Sequence, residues 1–371
     1  MKLVSGFGVR FVRNSRFIHT PSRHGQLLIS SIFCKTRSIE KLGSARTRLY
    51  SEGPLFGNHN NTFRTTTKQG AYGCTEVLNQ DLVSDNMRRV PLAYEVVSEN
   101  SSTYFPKPPV IILHGLFGNR ANNRTIARLL NERLERDVYL PDLRNHGASP
   151  HIGRHDYPSM AADVEQFIQE RNFEHEPIIV GHSMGAKVAM SVVLRKPELC
   201  SMLVSIDNAP VATVPTMSFP RYVKKLLEII ENPKILTFAD AEKSLREIEA
   251  SPVIRQFLLT ILQRVKDETG ASPSGYRFKS RIPLGILNDA IVKGNIANWE
   301  FNPWVHRYTS PALFIRGTRS HYVADELLHD VGRFFPRFEV GDIDATHWVN
   351  TEKPRECSDL IADFIERHEE L

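Results

Sequence analysis

An apolar run that leads into the pattern Gly-x-Ser-x-Gly, and from there directly into a helix, constrains the fold of this chain more than any other segment. The residues are Ile178-Ile179-Val180-Gly181-His182-Ser183-Met184-Gly185. A serine in this setting lies on a sharp strand-to-helix turn that exposes its hydroxyl above a sheet. Small residues are needed two positions before and after it, because side chains there would collide across the turn. The segment therefore predicts that Ser183 is a nucleophile at the carboxyl end of a strand.

Short apolar runs alternate with helical segments over the rest of the chain. The predicted strands are Val110–Leu113, Val138–Leu140, Ile178–Val180, Met202–Ile206, Ala312–Ile315 and Phe338–Val340. The predicted helices are Arg120–Arg136, Ser159–Arg171, Met184–Lys196 and Asp325–Phe335. Continuous apolar runs suit strands that are buried on both faces of a parallel sheet. The alternation predicts an α/β fold with a mostly parallel central sheet flanked by helices.

One long interval, from Pro210 to Arg307, interrupts this alternation. Three segments within it have helical periodicity: Arg221–Glu231, Ala239–Ala250 and Val253–Thr269. A helical insert of this size above the edge of a sheet is typical of a lid over an active site. We therefore predict a helical lid over residues 210–307.

Positive charge is concentrated in the first fifty residues. The whole chain has a formal charge of +5, to which residues 1–50 contribute +9 and residues 51–371 contribute −4. Residues 1–39 are rich in arginine and serine and contain no acidic residue, which is the composition of a mitochondrial transit peptide. A disordered basic tail is the alternative. We predict a presequence over residues 1–50 with cleavage near Ser51, a linker over 51–90 and a folded domain over 91–371. This distribution argues against a nucleic-acid partner.

Several other classes of protein are excluded by the composition. The apolar runs are too short for a transmembrane helix. The four cysteines lack the spacing of a metal site or a disulfide scaffold. The glycine-rich segments match neither a phosphate loop nor a dinucleotide-binding motif. We therefore expect no metal and no bound cofactor.

The general base and its acid partner are expected in loops at the same edge of the sheet as Ser183. His347 follows the last predicted strand, whereas His329 and His368 lie in helices, so His347 is the predicted base. The acid often follows the strand two before the end, but that loop lacks a carboxylate before Asp325. Asp207 ends the strand directly after the nucleophile strand, and adjacent strands are about 4.8 Å apart. We predict Asp207 as the acid, with Asp325 as the alternative.

A loop that follows the first predicted strand supplies the expected oxyanion hole. The loop has the sequence His114-Gly-Leu-Phe-Gly118. In folds with this type of turn, one backbone N–H comes from such a loop and one from the residue after the nucleophile. We therefore predict that the backbone N–H groups of Leu116 and Met184 form the oxyanion hole. His114 is expected to orient the loop, with direct catalysis as the less favoured alternative.

From about Pro91 to Leu371 the chain resembles the α/β-hydrolase superfamily. Within it, several segments resemble the branch that holds the mitochondrial ethanol acetyltransferases of yeasts and related abhydrolase-domain esterases. These segments are His114–Gly118, Asp142–Gly147 with Ser149–His151, Gly181–Lys187 and Asp207–Val211. The acetyltransferases use serine, aspartate and histidine, and the matching positions here are Ser183, Asp207 and His347.

The resemblance implies acetyl transfer from acetyl-CoA to ethanol, which yields ethyl acetate, with thioesterase and esterase activity when alcohol is scarce. Acetyl-CoA is then a substrate, and the expected partners are small molecules: acetyl-CoA, ethanol and short esters. The alternative is a mitochondrial serine esterase or lipase without a transferase role, because the motifs do not separate the two. A non-catalytic interaction protein on a hydrolase scaffold is a further alternative, against which the complete set of Ser, Asp and His argues.

Overall fold

The structure is a computed structural model that describes residues 11–12, 48–50, 87–101, 106–213, 218–268, 270 and 274–369. Apart from two short strands, the predicted presequence (1–50) lies outside the described residues, as does the predicted linker up to residue 86. The domain already includes residues just before 91, because Met87 and Val90 are buried. The backbone N–H of Val90 donates a hydrogen bond to Asp163 Oδ1 at 2.8 Å.

A nine-stranded sheet forms the centre of the fold. Its strands are β1 (Phe11–Val12), β2 (Arg48–Tyr50), β3 (Tyr94–Val97), β4 (Val110–Leu113), β5 (Val138–Pro141), β6 (Ile178–His182), β7 (Met202–Ile206), β10 (Ala312–Gly317) and β11 (Phe338–Ile343). The strands β8 (Leu262–Lys266) and β9 (Tyr276–Ser280) lie outside this sheet. The strand order is β1-β11-β10-β7-β6-β4-β5-β3-β2. All neighbours are parallel except the pairs β3–β5 and β2–β3. The predicted mostly parallel sheet is confirmed, with all six predicted strands in it.

Helices cover both faces of the sheet. Those outside the lid are α1 (Arg124–Leu134), α2 (Tyr157–Arg171), α3 (Met184–Arg195), α8 (Leu328–Phe334), α9 (Val349–Glu352) and α10 (Pro354–Glu369). One apolar core lies between the sheet and α2, α3 and α8. A second core lies on the opposite face, against α1 and α10. Strands such as β4 and β7 are buried throughout because each contributes side chains to both cores.

The lid is the insert between β7 and β10. Its described part contains the helices α4 (Ser218–Glu231), α5 (Phe238–Leu245), α6 (Pro252–Leu259) and α7 (Leu284–Val292), and a hairpin of β8 (Leu262–Lys266) and β9 (Tyr276–Ser280). The predicted helix Val253–Thr269 is therefore wrong in its second half. Its apolar spacing fits a helix locally, but residues 262–266 pair antiparallel with β9. Pairing with a segment ten residues further on overrides the local periodicity.

No helix in the described part of the chain is both long enough and apolar enough to cross a bilayer.

Candidate active site

Ser183 lies on the turn between β6 and α3 with a backbone conformation that residues other than glycine rarely adopt. Its φ is 55° and its ψ is −117°, and such strain persists only where the surrounding structure enforces it. A side chain at Gly181 would collide with the backbone of Gly185 and Ala186. A side chain at Gly185 would meet the carbonyl of Leu113. Both glycines are thus required for the turn that exposes the Ser183 hydroxyl.

His347 lies in the loop after β11 and reaches the serine. Its Nε2 is 2.8 Å from Ser183 Oγ. The ring of Tyr322 stacks on the imidazole with centroids 4.1 Å apart and planes at 21°. Nε2 of His182 lies 2.9 Å from the backbone carbonyl oxygen of His347. Because a carbonyl oxygen only accepts, Nε2 donates this hydrogen bond. These contacts hold the imidazole against Ser183 from two sides.

Asp207 is fully buried at the end of β7 and contacts the other nitrogen of the same imidazole. Its Oδ2 is 2.6 Å from His347 Nδ1, and its own φ of 54° is also in the left-handed region. The backbone N–H of Gly317 donates to its Oδ1 at 3.0 Å. The Ser320 hydroxyl lies 2.6 Å from Oδ2 and donates to it. The carboxylate is therefore held by three donors.

Asp325, the alternative acid, is elsewhere. Its side chain is 77% exposed and forms an ion pair with Arg316 at 2.5 Å. Of the two carboxylates, only Asp207 contacts His347 among the described residues.

The two residues predicted to form the oxyanion hole flank the serine. Leu116 and Met184 line the same small cavity as Ser183. Met184 is the first residue of α3, where a backbone N–H has no partner within the helix. A side chain at Gly115 would lie 3.3 Å from the Ser183 Cβ, so the loop passes directly beside Ser183. Both residues thus lie close to Ser183, and their role in an oxyanion hole stays a prediction.

Two buried histidines hold the loop that carries Leu116. His114 accepts a hydrogen bond at Nε2 from the backbone N–H of Leu143 at 3.0 Å. His146 accepts at Nε2 from the backbone N–H of Phe117 at 3.1 Å. Burial lowers the pKa of His114 to about 4 and the pKa of His146 to about 3. Both rings are therefore neutral at physiological pH, as acceptance at Nε2 requires. These contacts agree with a positioning role for His114.

Two cavities meet at Ser183. The small cavity has a volume of about 30 Å³ and is lined by Leu116, Tyr157, Ser183, Lys187, Phe219 and Tyr322, among others. The large cavity has a volume of about 550 Å³ and its apolar side chains include Phe219, Val253, Phe257 and Trp348. Both touch the lid, because Phe219 belongs to α4. The serine hydroxyl thus stands between a pocket for a small group and a wider space.

Several residues at the site were not predicted from the sequence. Ser320 and Tyr322 lie in the loop after β10, which has no carboxylate before Asp325. The absence of a carboxylate from this loop indicates that the acid lies on the neighbouring strand. A hydroxyl group in the loop can then donate a hydrogen bond to that acid. Lys187 stands four residues after Ser183 and is 1% exposed. A lysine on an otherwise apolar helix was a signal that the sequence contained.

The fold and the site define the class of protein. A model of the α/β-hydrolase fold family matches residues 108–354, and the chain belongs to this family.

Named relatives include both transferases and lipases. The chain is 53% identical over 294 residues, 76% of this chain and 86% of the relative, to a protein of Saccharomyces cerevisiae named "Probable alcohol acetyltransferase". It is 34% identical to an sn-1-specific diacylglycerol lipase of Xenopus tropicalis, over 79% of this chain and 88% of the lipase. It is 28% identical to ethanol acetyltransferase 1 of Cyberlindnera jadinii, over 75% of this chain and 87% of that protein. The predicted resemblance to this branch is confirmed.

Among solved structures, an esterase from a marine microorganism is similar in fold. It superposes with a TM-score of 0.63 and is 28% identical, covering 74% of this chain and 99% of its own.

Proposed function

We propose that this protein transfers an acetyl group from acetyl-CoA to ethanol through an acyl-enzyme on Ser183. Thioesterase and esterase activities accompany the transfer when water takes the place of the alcohol. The observation that carries the proposal is the hydrogen-bonded chain from Ser183 Oγ through His347 to Asp207, with distances of 2.8 and 2.6 Å. A buried carboxylate on one nitrogen of an imidazole and a serine hydroxyl on the other is the arrangement that activates serine for acyl transfer.

In the first half of the reaction Ser183 attacks the thioester carbon while His347 Nε2 takes the hydroxyl proton. Asp207 keeps the remaining imidazole proton on Nδ1 and stabilises the imidazolium. The backbone N–H groups of Leu116 and Met184 donate hydrogen bonds to the carbonyl oxygen and stabilise the negative charge that develops on it. The carbon–sulfur bond then breaks, and the proton on Nε2 passes to the departing thiol. In the second half His347 deprotonates the alcohol or water that attacks the acyl-enzyme, and Ser183 recovers its proton.

The two cavities support a short acyl group and a long leaving group. A cavity needs about 10–15 Å³ to hold one water molecule, so the small cavity of about 30 Å³ suits a short acyl group and excludes a long chain. The large cavity opens into a further cleft of about 820 Å³, with which it shares Gly118, Asn122, Gln256 and Thr260. Arg281 lines this cleft and forms no ion pair with a described carboxylate. This region offers room and positive charge for the phosphates of coenzyme A.

A product measurement tests the proposal. The protein is incubated with acetyl-CoA with and without ethanol, and ethyl acetate, free acetate and free thiol are measured together. We expect ethyl acetate to rise with ethanol concentration at the expense of acetate. Thiol release with acetate as the sole product at every ethanol concentration would reject the transferase.

Hydrolysis of lipid esters is the second candidate function. The surface of the large cavity is mainly apolar, with Phe219, Val253, Phe257 and Trp348 in its lining, and this favours an acyl chain over a polar carrier. Phe257 of the lid packs edge-on against Trp348 in the lining of this cavity, with ring centroids 4.8 Å apart. A diacylglycerol should be cleaved faster than acetyl-CoA if this alternative holds, and the comparison is made at equal enzyme concentration.

We also propose import into mitochondria, supported by the basic, acid-free composition of residues 1–39.

A further inference from the structure

Lys187 presents a buried ammonium group to the small cavity beside Ser183. Its side chain extends from α3, one helical turn after the nucleophile, and the residue is 1% exposed. Nζ donates to the carbonyl of Val211 at 2.8 Å and to Thr213 Oγ1 at 3.2 Å. An ammonium has three donors, so one remains after these two bonds.

This lysine has no counter-ion in the part of the chain that the structure describes. The groups around it are neutral: Nζ lies 5.4 Å from the ring centroid of Tyr157 and 5.9 Å from that of Trp299. A buried charge without a partner is costly, and the group tends to lose its charge instead. Burial accordingly lowers the pKa of Lys187 to about 7. An anion in the small cavity would supply the missing partner.

We propose that Lys187 adapts the small cavity to short acyl groups that end in a carboxylate, such as the three- and four-carbon dicarboxylic acyl groups. The proposal rests on the proposed function, because the acyl group must be held as an ester on Ser183. The chain end lies in the small cavity and its carboxylate accepts the remaining hydrogen bond of Nζ. In the reaction the carbon–sulfur bond of the thioester breaks, water cleaves the ester on Ser183, and the distal carboxylate leaves unchanged.

Pairs of thioesters with acyl chains of equal length test this inference. Malonyl-CoA is compared with propionyl-CoA, and succinyl-CoA with butyryl-CoA, by thiol release corrected for spontaneous hydrolysis. We expect the wild type to favour the carboxylate member in kcat/KM by about tenfold or more, as a site with an unpaired buried polar group discriminates strongly. Lys187→Met keeps the length of the side chain without its charge and should abolish that preference. Lys266→Met, on the exposed face of the β8–β9 hairpin, is the matched control and should keep it.

A pH series on the wild type provides a readout that does not depend on the variant folding. The carboxylate preference needs the ammonium form, so it should fall as the pH rises through about 7. Burial raises the pKa of both tyrosines that face the cavity, Tyr157 and Tyr322, so they stay neutral over this range. His347 acts on both members of each pair and cancels in the ratio.

The outcomes separate this inference from the proposed function. Propionyl-CoA cleavage without any preference for malonyl-CoA overturns the inference alone. An equal loss on both members of a pair in folded Lys187→Met also overturns it. Absence of all acyl turnover rejects the proposed function and the inference with it.

Discussion

The hydroxyl of Ser320 donates a hydrogen bond of 2.6 Å to the carboxylate of Asp207, although 113 residues separate them. Ser320 occupies the loop after β10, and Asp207 ends the neighbouring strand β7. The same Asp207 oxygen contacts His347 Nδ1 at 2.6 Å. The loop that lacks a carboxylate thus supports one on the adjacent strand, which is why the acid can precede the lid in sequence.

Replacement of Ser183 by alanine should lower the rate of acyl turnover by several orders of magnitude, because it deletes the oxygen atom that attacks the acyl carbon. The fold should survive, since only one partly exposed hydroxyl is lost. Thiol release from acetyl-CoA measures the activity, and the thermal unfolding midpoint measures the fold. Ser191→Ala, in the buried middle of the same helix, is the control and should retain activity. Turnover near the wild-type rate in folded Ser183→Ala would reject the nucleophile.

Replacement of Asp207 by asparagine should lower kcat by up to about 10⁴-fold, because the amide favours the wrong tautomer of His347. Asp325→Asn should leave kcat almost unchanged, since Asp325 is an exposed partner of Arg316. Steady-state kinetics of the two variants decide between them. A severe loss in Asp325→Asn together with a mild one in Asp207→Asn would reverse the assignment of the acid.

The free energy of unfolding should fall as the pH decreases from about 6.5 to about 4. Burial lowers the folded-state pKa of His114 and His182 to about 4 and of His146 to about 3. Unfolded histidines take up protons near pH 6.5, so in this window the unfolded state binds more protons and is favoured as the pH falls. Each such histidine contributes about 1.4 kcal/mol per pH unit.

Urea unfolding at a series of pH values measures this slope. His146→Gln should reduce it by the contribution of one proton, whereas exposed His175→Gln should leave it unchanged. A slope that is the same in all three proteins would show that His146 is not held neutral by the fold.

Truncation of Phe219 should shift products from ester to acetate. With water at about 55 M and ethanol at ~0.1 M, equal partitioning needs about 500-fold discrimination, or about 3.7 kcal/mol. Burial of two ethanol carbons yields about 0.8 kcal/mol each, so the exclusion of water must supply much of the rest. Phe219 is the residue of α4 that lines both cavities at Ser183, whereas Leu226 on the same helix is wholly buried in the core.

The ratio of ethyl acetate to acetate, measured across an ethanol series, reports this effect. Phe219→Ala should lower the ratio by about fivefold, equivalent to about 1 kcal/mol, with a smaller change in total thiol release. Leu227→Ala, on the exposed side of α4, is the control. If both products fall in proportion, the lid does not select against water.

Import should remove the first fifty residues. Mass spectrometry of the protein from isolated mitochondria should find an amino terminus near Ser51, and a chain without residues 1–50 should stay in the cytosol and remain active. Organellar protein that retains Met1 would contradict a cleaved presequence.

The parts of the fold that sequence could predict are those encoded locally. Strands such as β4 and β7 are continuous apolar runs, and the turn at Ser183 is encoded in eight consecutive residues. β3 was missed because Glu95, buried against Arg124 through hydrogen bonds at 2.6–3.0 Å, breaks the apolar pattern of that strand. The β8–β9 hairpin was missed because its pairing is not visible in the periodicity of either strand.

The residues of the site likewise divide into those that a local pattern encodes and those that depend on how distant segments pack. Ser183, Asp207 and His347 stand at strand ends, where the order of the sheet predicts their proximity. The contacts of Ser320 and Tyr322 depend on how the loop after β10 folds back over Asp207 and His347. No local pattern encodes that path, so these two residues could be found only from the structure.

The position of the lid after β7 has a consequence for how selectivity can change. Ser183 and Asp207 lie within one stretch of 25 residues, and every lid residue comes after both. We therefore expect that lid sequences can be exchanged between relatives as a module, without disturbing the backbone strain at Ser183 or at Asp207. In such chimaeras we expect the preferred acceptor alcohol to be that of the protein that supplied the lid. The residues proposed to transfer the proton would remain those of the protein that received it.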